Sequence, residues 1–94
     1  MSLLADIKNL LRIKNNAFDG EVSDLIDAAQ SDLMLSGVSG DRALDPRDPL
    51  VKRAISIYVK AHFGWDNPDA ERLMQSYEML KAHLTLSEEY TREA

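Results

Sequence analysis

Cysteine is missing from all 94 residues. Its absence excludes a disulfide scaffold, a cysteine-based zinc site and thiol catalysis, and it fits a reducing compartment. Long apolar runs are missing as well. None approaches the ~20 residues of a membrane span, and no signal-peptide pattern opens the chain. Met1-Ser2-Leu3 is compatible with a vector-derived leader ahead of a native start near Leu4. Basic residues are outnumbered: the net charge of −5 argues against a general nucleic-acid binder, which needs a basic face to release counterions. There is no period-2 alternation, no internal repeat and no low-complexity tract.

Chemistry-bearing motifs are absent in the same way. His62 and His83 are the two histidines, and neither has an acid or second histidine at metal spacing, so both read as surface or cap residues. Asp41, Asp45 and Asp48 lack the oxygen spacing and the terminal glutamate of an EF-hand, and two of them precede prolines, where turn and cap duty explains them. Gly37-Val38-Ser39-Gly40 has the form of the glycine clamp of single-strand RNA modules, but that clamp requires a mixed α/β domain with a basic groove. No Walker or Rossmann glycine pattern occurs, and no serine has a plausible base and orienting partner. No catalytic, cofactor-binding or metal-binding residue is expected.

What the chain does contain is helical punctuation. Asp48 can cap a helix that begins at Pro49, Gly64 suits its left-handed end, and Trp65 is placed to fold back over Val59. At about 100° per residue, Lys52, Arg53, Ser56 and Lys60 fall in one polar stripe, and nearly all else from Leu50 to Phe63 is apolar. A helix so apolar must be covered on several sides, which makes it the hub. Before it, Leu3 to Ile13 places Leu3, Leu4, Ile7, Leu10 and Leu11 on one face, with Lys8 and Arg12 opposite and Lys14-Asn15-Asn16 as the stop. Phe18 reads as a core anchor at the turn. Asp19 then caps a second helix with Val22, Leu25, Ile26, Ala29 and Leu33 buried and Gly37 at its end. After the hub, Asn67-Pro68 opens a fourth helix whose seam is Ala70, Leu73, Tyr77, Leu80 and Leu84, widened by Met74. The expected fold is all-α, one domain over residues 1–94. It is a compact bundle of four helices with a long loop, Ser36 to Arg47, between the second and third. That loop has little to anchor it beyond Leu44, plus a short helical turn around Arg42-Ala43-Leu44, and is expected to be the most mobile internal segment. Residues 85–94 are polar enough to fray.

Several residues are left without a role inside such a bundle. The stretch from Asp19 to Asp32 holds five acids and no base, including Asp24 and Asp27, while the first helix offers Lys8 and Arg12. Such faces are either solvated or meet across a subunit boundary. Met34 and Leu35 lie off the stripe of the second helix, where they cover the loop or meet a partner. In the loop Asp41, Arg42 and Arg47 stand without a role, alternating in sign once Asp45, which precedes Pro46, is counted between them. Met79, Leu86 and Tyr90 fall about half a turn from the seam of the fourth helix. These residues are the candidate subunit or partner interface.

The order of the pieces is more telling than any one of them. Leu4-Ala5-Asp6-Ile7-Lys8-Asn9-Leu10-Leu11-Arg12-Ile13 leads into a helix with Leu25-Ile26-Asp27-Ala28-Ala29. A loop follows that ends in Asp48-Pro49-Leu50, and the hub carries Ala54-Ile55, Tyr58-Val59 and His62-Phe63-Gly64. Over residues 4 to 86 this resembles the small head–tail connector (adaptor) proteins of long-tailed bacteriophages and prophages, also labelled DNA-packaging proteins. The resemblance implies a non-enzymatic virion protein, made in the bacterial cytoplasm, that forms a homo-oligomeric ring beneath the portal at the head–tail junction. Such a ring extends the DNA channel, lets DNA pass without specific binding, and docks the next connector or tail protein. It implies no cofactor and no membrane, and it carries no active-site residues over. A generic helical interaction domain, a helix-turn-helix DNA-binding module and a small helical enzyme are the rival readings. The helix-turn-helix reading would need a basic, exposed recognition helix.

Overall fold

Asp48 and Pro49 organise the molecule as their order suggests. In a computed structural model, which describes residues 2–64 and 66–92, Asp48 Oδ1 accepts from the backbone N–H groups of Leu50 and Val51, both at 3.1 Å. That cap opens a helix over Pro49–His62, preceded in the chain by helices α1 (Leu3–Leu11), α2 (Asp19–Ser36) and α3 (Gly40–Ala43), so it is α4. Two more follow, α5 (Ala70–Leu86) and α6 (Glu88–Thr91). The described residues are all-helical, and the four long helices are those expected from the sequence. α4 packs against α1, α2 and α5 and buries Val51, Ala54, Ile55, Val59 and Ala61, as its apolar circumference requires. Residue pairs across the interfaces give the directions. Asp6 meets Lys52, and further on Leu10 and Leu11 lie beside Ser56, Ile57 and Lys60, so α1 runs in the same sense as α4. Tyr58 meets Tyr77, and Asp48 meets Tyr90, so α5 and α6 run back along it.

The helix ends depart from expectation in instructive ways. α1 stops not at Lys14-Asn15-Asn16 but at Arg12, which takes the left-handed conformation (φ 61°) in the position glycine usually fills. The N–H of Ile13 closes that end on the Lys8 carbonyl at 2.9 Å. α2 begins without a side-chain cap: Asp19 is its first residue, and its carboxylate turns to Lys8 instead. At the end of α4, Gly64 is left-handed (φ 83°), but its N–H donates to Glu21 Oε2 at 3.2 Å rather than back into the helix. Trp65, expected to fold over Val59, lies outside the described residues. The last carbonyls of α4 are served by a residue assigned elsewhere. Asn67 Nδ2 donates to the Lys60 carbonyl at 2.7 Å, while Asn67 Oδ1 accepts from the Asp69 N–H at 3.0 Å. Asn67 thus clamps one helix end and folds the turn that leads into α5, which begins two residues after Pro68.

Three expected anchors are wrong. Leu10, placed on the buried face of the first helix, is 59% exposed, because α1 buries fully only Ile7. Phe18 is also 45% exposed, with an edge-on contact to Phe63, centroids 5.5 Å apart. Leu44 faces solvent too. The long loop is nonetheless well anchored, by Val38 and Ala43, both buried, and by the capped turn of α3. Val38 follows the left-handed Gly37, and its N–H bonds the Leu33 carbonyl at 2.9 Å, so its side chain folds back on the helix just ended. This overturns the grounds for expecting a mobile loop.

The tail is folded as far as it is described. The chain turns at Ser87, α6 packs back on α5, and Tyr90 reaches the α3 region. Its carbonyl accepts from the Ser39 N–H at 2.8 Å, and its hydroxyl donates to Asp48 Oδ1 at 3.1 Å. Where the sequence predicts a frayed end, residues 88–91 are helical and held by these contacts; Glu93 and Ala94 lie outside the described residues.

Candidate functional site

Two buried-to-half-buried polar clusters join helices from the inside. In the first, Tyr77, fully buried on α5, donates to Asp32 Oδ2 on α2 at 2.6 Å, and Lys81 Nζ reaches the same oxygen at 3.0 Å. Burial pushes the Asp32 carboxyl up, but the bonds from Tyr77 and Lys81 outweigh it and the net shift is downward. The Tyr77 hydroxyl is raised, first by burial and then by its bond to Asp32. Burial lowers Lys81, yet its bonds to Asp32 and Glu78 carry it above its ordinary value. In the second cluster Asp48 holds Arg42 Nη1 at 3.2 Å as well as Tyr90, while Arg42 Nη2 pairs with Glu89 at 2.7 Å and its guanidinium lies over the Tyr90 ring. The Tyr90 hydroxyl is raised by burial and by the Asp48 carboxylate. Each of these groups has its partner within the chain, which is the arrangement of a tie between elements rather than of a group poised for chemistry. Among the described residues no group of three or more histidine, cysteine or acidic side chains could hold a metal ion. His62 and His83 are both exposed, the former stacked obliquely on Tyr58.

The interface candidates separate into those the chain uses itself and those it leaves outside. Lys8 is used: Nζ lies 2.6 Å from Asp19 Oδ1 and 2.9 Å from Asn16 Oδ1, and only 12% of its side chain is accessible. The basic first helix and the acidic second one therefore meet inside one chain at this point. Arg42 and Tyr90 are used in the second cluster, so the idea that Tyr90 has nothing in its own chain to cover it is corrected. Met34 is partly used, its sulfur lying over Gly40 at the start of α3. Arg12, Asp24, Asp27, Asp41 and Arg47 are exposed. So are Leu35 at 88%, Leu86 at 85% and Met79 at 67%. Met79 borders a shallow apolar groove along α5 with Met74 and Ala82, flanked by Glu71, Gln75 and Glu78.

One surface was missed in the sequence. Leu10 and Leu11 of α1, Ile57 of α4 and Leu73 of α5 line a second groove, edged by Arg53 and Lys60. Both cations are exposed, and among the described residues neither has an acid within 4.0 Å. Lys52, their neighbour in the polar stripe, is taken by Asp6 at 3.0 Å. The signal was available: no acid occurs between Asp48 and Asp66, so the cations of α4 have no partner on their own helix.

Among the described residues no helix is long and apolar enough to cross a membrane. No curated protein and no solved structure gives a significant match. A family model described as phage connector protein does match, over residues 3–91, from the first turn of α1 to the last residue of α6, and the chain belongs to that family.

Proposed function

We propose that this protein is a non-enzymatic ring subunit at the phage head–tail junction, seated between portal and tail and extending the DNA channel. The observation that carries the reading is the family match over residues 3–91, nearly the whole chain. The structure supports it in two ways. The perturbed titratable groups are spent on ties between helices, and the large exposed apolar side chains Leu35, Met79 and Leu86 offer material for contacts with neighbours. Burial of α4 against three helices also weighs against using it as a recognition helix in a DNA groove. An acidic subunit suits a channel: weak or repulsive contact with phosphate lets DNA slide, whereas tight binding would hold it. The partners would be further copies of the chain, the portal protein above and a connector or tail protein below. Electron microscopy of the protein mixed with its portal tests this directly. Closed rings stacked on the portal are expected; a protein that stays monomeric at high concentration and on the portal would remove the reading.

A further inference from the structure

We infer that the groove between α1, α4 and α5 is one half of the subunit boundary, and that its occupant is the outer face of α2 of a second copy. The inference rests on the ring reading and names the two surfaces that would close it. The groove has an apolar floor, with Leu10 59% exposed, and a rim of two unpaired cations, Arg53 and Lys60, seven residues or roughly 10 Å apart along α4. The chain carries a net charge of −5, yet the unpaired charges of this patch are both positive. So, among the described residues, are those of the exposed Arg12 and Lys14 at the end of α1, but these have no apolar groove between them. The complement of the groove is on the same molecule. Asp24 and Asp27 are exposed on α2, and among the described residues neither has a cation within 4.0 Å. Beyond them along the helix come the small exposed residues Ala28 and Ser31 and then Leu35 at 88% exposure. Small side chains let a helix lie close to a groove, the acids can reach the cationic rim, and Leu35 adds apolar area at one end.

The two faces sit on different elements of the subunit, so the contact is head-to-tail: each copy offers its groove to one neighbour and its α2 to the other. Of the two cations the first helix offers to such a neighbour, Lys8 is already held by Asp19 and Arg12 alone is exposed, whereas the groove presents two cations beside an apolar floor. Duplex DNA is the poorer occupant. Phosphates would meet the apolar side chains of Leu10 and Ile57 between the two cations, and acids would repel them elsewhere.

Two variants test the assignment: Arg53→Glu with Lys60→Glu, and Asp24→Lys with Asp27→Lys. All four positions are exposed or at the rim, so circular dichroism should show folded proteins with melting temperatures close to the parent. Each variant alone has like charges on both faces and should fail to assemble, by sedimentation and by electron microscopy with the portal. An equimolar mixture restores opposite charges wherever the two variants meet and should recover oligomers in which they alternate. Assembly of either variant as readily as the parent, or a mixture that stays monomeric, overturns the pairing while leaving ring formation by the parent intact. Salt-dependent capture of duplex DNA by the parent, lost with Arg53→Glu and Lys60→Glu, would hand the groove to DNA instead. Failure of the parent itself to assemble removes the ring reading and this inference together.

Discussion

Asp48 serves four donors with two oxygens: the N–H groups of Leu50 and Val51, the hydroxyl of Tyr90 and the guanidinium of Arg42. A carboxylate that is 5% exposed is tolerated only when its lone pairs are so used. Replacing it by alanine removes an N-cap, worth about 1 kcal/mol, and strands the half-buried Tyr90 hydroxyl, worth about 1–2 kcal/mol more. Arg42 keeps Glu89 and solvent, so it adds little. We expect Asp48→Ala to lower stability by about 2–3 kcal/mol in urea titrations, and Asp48→Asn, which keeps a capping oxygen, by about half as much. Equal losses in the two variants would mean that the charge, and not the cap, carries the site. The cap itself is legible, because Asp-Pro ahead of an apolar run has few other meanings. The bond to Tyr90 is not, since it spans 42 residues and depends on the chain reversing at Ser87.

At the scale of elements, α4 is the test of the fold. Ile55 is 1% exposed between helices, so Ile55→Ala should cost about 2–5 kcal/mol, much of what a small domain has. Tyr58, equal to it on the helical pattern alone, is only half-buried, with its ring edge-on to Tyr77 at 5.2 Å, and Tyr58→Ala should cost about half as much. Lys52→Ala loses one partly exposed pair with Asp6, about 0.5–1 kcal/mol. Thermal melts rank the three; Ile55→Ala near the parent would remove α4 from the centre of the core. The four long helices could be read from sequence because periodicity and punctuation are local. What could not be read was which apolar residues each helix truly buries. Leu10 has the spacing of a core residue, yet the short α1 covers α4 only along one edge. Val38, by contrast, could have been found, since a glycine ending a helix places the next apolar residue back against its last turn. Tyr77 was read as seam, but the acid that completes it, Asp32, was read as part of an acidic block either solvated or facing a subunit boundary. Pairing across helices is set by their relative rotation, which no single-helix pattern contains.

For the whole molecule, the question is how many of its exposed faces assembly consumes. A ring subunit needs two lateral faces and at least one axial one, and three exposed surfaces are available: the cationic groove, the outer face of α2 and the α5 groove at Met79. Met79 is 67% exposed, so its own fold gains little from it. Burying it against a neighbour or the portal would contribute about 1.5–3 kcal/mol at every copy, and a carboxylate in its place would have to be desolvated as well. Met79→Asp should therefore leave the melting temperature within about 2–4 °C of the parent, as expected for a change of ~0.5 kcal/mol in a chain this size, while abolishing an assembly step. Two readouts say which step. Loss of rings formed by the protein alone places Met79 at the lateral boundary, beside or in competition with the charged groove. Intact rings that no longer bind the portal place it on the axial face. Undiminished assembly in both, seen by electron microscopy, would remove the α5 groove at Met79 from the interface.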